Sequence, residues 1–159
     1  MVESLADRII NSVGEAAELY NRLVMVVAPA GAGKTAALQD VQVRTTAPLI
    51  NVNLELSQRM LDLTERQRTL QLPRILAEIV NTAEADDVVL LDNIEVLFDA
   101  SLKQDPLRLL QGLSRNKTVV VAWSGFSDNE HLMYATPDHP EYKRYSLRDL
   151  MIVKPEVIA

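Results

Sequence analysis

An α/β domain with a central, mostly parallel sheet flanked by helices is predicted by three observations. Unbroken apolar runs recur along the chain, helix-length segments of amphipathic spacing separate them, and polar or acidic residues close several of the runs. A strand buried on both faces reads as a continuous hydrophobic run, and parallel neighbours need helical crossovers between them. Ligands of such folds lie at the carboxyl ends of the strands, so the polar residues found there are the candidates for chemistry.

The elements follow in order. Leu5, Ile9, Val13, Ala16, Ala17 and Tyr20 recur at helical spacing and give an N-terminal packing helix over about residues 3–20. Leu23 to Ala28 is the first apolar run and hence the first strand. A glycine-rich turn follows, and Thr35 to Gln42 reads as a helix. Pro48 to Leu54 forms the second strand; Ser57 to Ala83 is helical in pattern, with Pro73 expected to break it into two helices. Val88 to Leu91 is the third strand, flanked by Asp86-Asp87 and by Asp92. Asp105 has the chemistry of an N-cap, with Pro106 at the first helical position of a helix ending near Gly112. Thr118 to Trp123 is the fourth strand. A loop rich in Pro and His leads to a fifth strand within Tyr145 to Val153.

Composition narrows the function. At 159 residues the chain fits one domain, residues 1–159, and 48% hydrophobic content supplies a sizeable core. With no cysteine, disulfides, thiolate metal sites and a cysteine nucleophile are excluded, and two histidines, His131 and His139, are too few for a zinc cage. Neither a signal peptide nor an apolar run of the roughly 18 residues a membrane span needs is visible, which gives a cytoplasmic expectation with no membrane partner. The net charge of −6 carries no basic stripe, so direct DNA binding by the monomer is not expected, though a complex with a basic partner could contact DNA.

The turn carries the strongest chemical signal. Ala28-Pro29-Ala30-Gly31-Ala32-Gly33-Lys34-Thr35 matches the phosphate-binding pattern Gly, four residues, Gly-Lys-Ser/Thr, except that Ala28 replaces the first glycine. A methyl group is tolerated there if the residue keeps a negative φ. Gly31 and Gly33 let the backbone approach phosphates, and the N–H groups of residues 31–35 form an anion nest backed by the helix dipole. The expected nucleotide contacts are Pro29, Ala30, Gly31, Ala32, Gly33, Lys34, Thr35 and Ala36. Lys34 would reach the β- and γ-phosphates and the Thr35 hydroxyl would coordinate Mg²⁺.

Val88-Val89-Leu90-Leu91-Asp92 has the form of a Walker B strand, whose terminal Asp92 would hold Mg²⁺ beside the phosphate turn. Many ATPases follow this Asp with a Glu that polarises the attacking water; here Asn93 stands in that place. Glu95 is the nearest acid, and it is either the general base or a solvated residue at the start of the next helix. Ser124, after the fourth strand, is either a sensor of the γ-phosphate or a turn residue paired with Gly125. Among Arg108, Arg115 and Arg144, the last is the candidate for an arginine contact across a subunit boundary, the alternative being a solvated surface residue.

In this order, phosphate turn, Walker B and polar sensor are similar to the core of AAA+ and related ATPases. That resemblance implies a five-stranded sheet in the order 5-1-4-3-2, ATP and Mg²⁺ as ligands, and oligomeric assembly; the small helical lid that usually follows the AAA+ core has no counterpart in the residues after the last strand. A narrower resemblance is to the BrxF-like small P-loop ATPases of BREX bacteriophage-defence systems. It rests on the turn, on Asn51-Val52-Asn53-Leu54-Glu55-Leu56-Ser57, on Leu90 to Phe98 and on His139-Pro140-Glu141-Tyr142. It implies an ATPase subunit acting beside a DNA methyltransferase and other BREX proteins. Two other readings of the same residues stay open: a non-hydrolysing nucleotide-dependent binding module and a small-molecule kinase. The base preference has no signature, since the guanine-reading Asn-Lys-x-Asp motif is absent.

Overall fold

The computed structural model describes residues 3–82 and 87–155. Ala83 and Asp86, named above at an expected helix end and strand flank, lie outside them. Five parallel strands make the central sheet: β1 (Leu23–Ala28), β2 (Leu49–Asn51), β3 (Val88–Asp92), β4 (Thr118–Ser124) and, last in the chain, β8 (Met151–Val153). Their spatial order, β2-β3-β4-β1-β8, is the 5-1-4-3-2 order expected from the AAA+ resemblance.

Alternation along the central strands divides the core into two layers. Leu23, Met25 and Val27 of β1 join Val119, Val121 and Trp123 of β4 and Val89 and Leu91 of β3 on one face. Helices α3 (Val52–Arg59), α4 (Glu65–Thr82) and α5 (Pro106–Leu113) pack there. Val24, Val26, Leu90, Val120 and Ala122 face the other way, against α1 (Leu5–Ala16) and α2 (Lys34–Thr45). Every residue of β1 is buried, which is why its sequence shows no alternation.

Local chemistry sets the helix ends. Ser4 and Asp7 form a reciprocal capping box at the start of α1, and Asp7 also meets Arg44 of α2 at 2.7 Å. The helix stops at Ala16, short of the expected Tyr20. Asn51 ends β2, not Leu54, because its side chain accepts the Leu54 N–H and caps α3. Asp105 caps α5, and Pro106 stands at its first position as expected.

Pro73 does not break the chain: it lies inside a continuous α4. The break falls between Arg59 and Glu65, where Thr64 and Gln67 exchange capping bonds of 3.2 and 2.9 Å. A proline inside a helix leaves the carbonyl four residues earlier without its donor. Here that carbonyl belongs to Thr69, and the Gln104 side-chain amide donates to it at 2.8 Å.

The segment expected to be a loop holds a second sheet. Strands β5 (Phe126–Ser127), β6 (His131–Tyr134) and β7 (Lys143–Ser146) form an antiparallel meander. Of the expected fifth strand within Tyr145 to Val153, only Met151–Val153 enters the central sheet. An aromatic cluster clamps the meander onto the core: Phe98 stacks on Tyr134 at 3.6 Å between centroids and meets Trp123 edge-on at 5.1 Å. The Trp123 indole N–H donates to the Met133 carbonyl at 3.1 Å. No helix among the described residues is long and apolar enough to cross a membrane.

Candidate active site

The turn between β1 and α2 takes its shape from two glycines with positive φ, Gly31 at 80° and Gly33 at 92°, conformations a side chain disfavours. Ala28, in the place of the first glycine of the usual pattern, belongs to β1 and is not among the positive-φ residues. Its methyl group therefore meets the condition set by the sequence. Pro29, Ala30, Gly31, Ala32 and Gly33 are exposed, as are Thr35 and Ala36 at the start of α2. The first backbone N–H groups of that helix have no intrahelical partner and are available to an anion.

Lys34 is the exception to this exposure. Its side chain folds back along the turn, only 6% exposed, and its ammonium donates to the carbonyls of Ala28 at 2.9 Å and Pro29 at 2.8 Å. Burial lowers its pKa, while the charges of Glu95 and Asp92 push it back up. Both carboxylates therefore lie within electrostatic reach of the lysine.

Asp92 closes β3, with 7% of its surface exposed. Its Oδ2 accepts from the Thr35 hydroxyl at 2.7 Å, and its Oδ1 from the Asn93 N–H at 2.9 Å. The two residues are 57 positions apart in sequence, and strand order alone brings them together. A hydroxyl and a carboxylate in contact are a suitable donor set for Mg²⁺, which prefers oxygen ligands and completes its shell with water and phosphate. Among the described residues no group of three or more His, Cys, Asp or Glu side chains offers an all-protein metal cage.

Asn93 has a backbone role. It adopts the left-handed conformation at φ 55°, ψ 51°, which asparagine tolerates better than most residues. The bend starts a 3₁₀ turn, Ile94–Phe98, that buries Ile94, Leu97 and Phe98 and leaves Glu95 half-buried. Glu95 Oε1 accepts a 2.8 Å hydrogen bond from Ser124 Oγ at the end of β4. The acid is thus drawn toward the site despite standing two positions later than usual, and is not a freely solvated helix residue.

Arg144 is not brought to this group. It is exposed on β7, paired across the ladder with Met133, and its charge acts on Asp128. Arg115 precedes β4, at the amino ends of the strands, where its guanidinium lies 5.6 Å from the centre of the Tyr20 ring; the glycine-rich turn follows the carboxyl end of β1. Arg108 is exposed on α5. Tyr134 is a neighbour that sequence reasoning missed: burial first, then the charges of Glu141 and Glu95, push its phenol up to about 12. A strand as short as His131–Tyr134 gave no periodicity by which to place it.

Sheet order, glycine-rich turn and the positions of Lys34, Thr35 and Asp92 define an AAA+-like P-loop NTPase fold. The solved structure of C. elegans PCH-2 is similar to this chain, with a TM-score of 0.50 at 14% identity over 96% of the chain. This chain spans 43% of that one, and a likeness at such identity speaks for the fold alone. No family model matches the chain, and no curated protein does.

Proposed function

We propose that this chain is a Mg²⁺-dependent ATP-binding and ATP-hydrolysing subunit that works through nucleotide-dependent assembly with itself or with partner proteins. The observation that carries this reading is the convergence of Lys34, Thr35, Asp92, Glu95 and Ser124 at the carboxyl end of one sheet. Their side chains divide the work of phosphoryl transfer to water. The exposed turn cradles the phosphates through its N–H groups, and Lys34 swings from the Ala28 and Pro29 carbonyls to the β- and γ-phosphates.

Thr35 and Asp92 would hold Mg²⁺, which supplies charge neutralisation between phosphate oxygens. Ser124 has one hydroxyl proton, so donating it to Glu95 and donating it to a γ-phosphate exclude one another. With the serine turned to phosphate, Glu95 is free to accept a proton from the attacking water. The water oxygen then bonds to the γ-phosphorus, the bond to the bridging oxygen breaks, and ADP and phosphate leave. Arg144, exposed on β7, would act on a neighbour's site.

The BrxF-like resemblance supports a setting in a BREX-type defence system beside a DNA methyltransferase. A kinase reading is weaker: between Phe126 and Tyr145 the cationic side chains are Lys143 and Arg144, too few for an arginine-rich lid. A non-hydrolysing binding module is favoured by one observation, the engagement of Glu95 by Ser124.

Phosphate release from Mg²⁺-ATP without an added acceptor tests the proposal. Release is expected, with Lys34→Ala abolishing it. Equal release by Lys34→Ala would overturn the phosphate-turn assignment, and tight binding without release would favour the non-hydrolysing module.

A further inference from the structure

Ser124 holds the Glu95 carboxylate at 2.8 Å, and the turning of that serine to a γ-phosphate removes the hold. A carboxylate on a flexible stem left without a partner spreads over several rotamers. A base that must meet one water therefore calls for a second donor, and the meander brings one to this end of the sheet.

Glu95 and Phe98 lie three positions apart on the 3₁₀ turn Ile94–Phe98, a spacing at which side chains eclipse on one face. On the Phe98 ring sits Tyr134, with 3.6 Å between centroids and 13° between planes. Tyr134 closes β6, and the residue before it, Met133, accepts the Trp123 indole N–H at 3.1 Å. Trp123 in turn directly precedes Ser124. The tyrosine is thus anchored through Phe98 to the segment of Glu95 and through Trp123 to the segment of Ser124.

The surroundings of the phenol agree with this placing. Tyr134 is half-buried, and after burial itself the charges of Glu141 and Glu95 hold its proton on. Both carboxylates are within electrostatic reach of a hydroxyl that is protonated at neutral pH and able to donate. Glu141 belongs to the connection between β6 and β7, inside the meander. Glu95 is the acid whose donor departs.

We propose that Tyr134 is a positioning residue for Glu95: its hydroxyl takes the carboxylate oxygen that Ser124 leaves and so aims the other oxygen at the attacking water. The proposal rests on the reading of Glu95 as the base and adds the group that holds the base in place. The phenol keeps its proton throughout, and the proton of the water goes to the free carboxylate oxygen. The aromatic cluster that clamps the meander to the core thereby also serves the site.

The test is steady-state phosphate release and calorimetric ATP binding by the full chain, with Tyr134→Phe, Glu95→Gln and the double variant. Tyr134→Phe keeps the ring and its stack and removes only the hydroxyl. Its kcat should fall about tenfold, with KM, the Kd for ATP and the Tm at neutral pH unchanged. In the Glu95→Gln background the same change should have no further effect, because no base remains to be aimed. A wild-type kcat in Tyr134→Phe, a loss confined to KM, or losses that multiply in the double variant would overturn the positioning role while sparing Glu95 as the base. Undiminished release by Glu95→Gln, or no release by the wild type, would overturn both.

Discussion

Ser124 Oγ donates a 2.8 Å hydrogen bond to Glu95 Oε1, joining the polar end of β4 to the acid that follows β3. The pair couples the group suited to sensing a γ-phosphate to the group suited to activating water. Glu95→Gln keeps the shape and loses the base. Phosphate release is expected to fall roughly 100-fold or more with ATP affinity unchanged, measured by turnover and calorimetry on the same samples. Undiminished turnover would remove Glu95 from the mechanism.

Thr35 and Asp92 should act as one metal-holding unit. Wild-type affinity for ATP is expected to drop when Mg²⁺ is replaced by EDTA, whereas Asp92→Asn and Thr35→Ala should bind ATP equally in both conditions. A full Mg²⁺ response in Asp92→Asn would place the cation elsewhere.

Gln104 stands in for the hydrogen bond that Pro73 cannot make. Gln104→Leu should lower stability by about 1 kcal/mol in urea unfolding. In a Pro73→Ala background, the new N–H takes the Thr69 carbonyl and the same change should cost less. Equal losses in both backgrounds would show that the 2.8 Å contact is incidental to the proline.

Gly125 permits a close crossing of chains. A Cβ there would lie 2.2 Å from the Met133 carbonyl oxygen, a backbone atom that cannot turn aside. Gly125→Ala should destabilise by about 1–3 kcal/mol, read as a fall in Tm, and a Tm equal to wild type would contradict the packing.

Tyr134 makes a pH prediction with a definite sign. Its phenol is raised from 10.0 to about 12 in the fold, so above pH 10 the unfolded chain loses a proton that the folded chain keeps. Stability therefore falls as pH rises through the interval from 10 to about 12. Lys34, whose pKa is lowered by burial, acts in the opposite sense at alkaline pH. Comparing wild type with Tyr134→Phe isolates the tyrosine: the variant should lose less stability across that interval. Parallel curves would show that the ring is not desolvated.

The residues themselves determined the fold class, the glycine-rich turn and the place of Asp92 at the end of β3. Those features are local: a doubly buried strand must be apolar throughout, a turn with two positive-φ positions calls for glycine, and an acid that closes an apolar run marks the strand's end. Helix ends were legible where a capping side chain acts within three or four residues, as at Asp105. Pro73 misled because its compensation comes from Gln104, beyond the reach of helix periodicity.

Only the tertiary structure decided the position of Glu95, the meander and the placing of Arg144. Asn93 turns the chain through one left-handed residue, and the resulting approach of Glu95 to Ser124 spans 29 positions. The meander strands run from two to four residues, too short for alternation to register. They are held by Trp123, Phe98 and Tyr134 meeting across the end of the sheet, contacts that exist only after β4 has been inserted between β1 and β3.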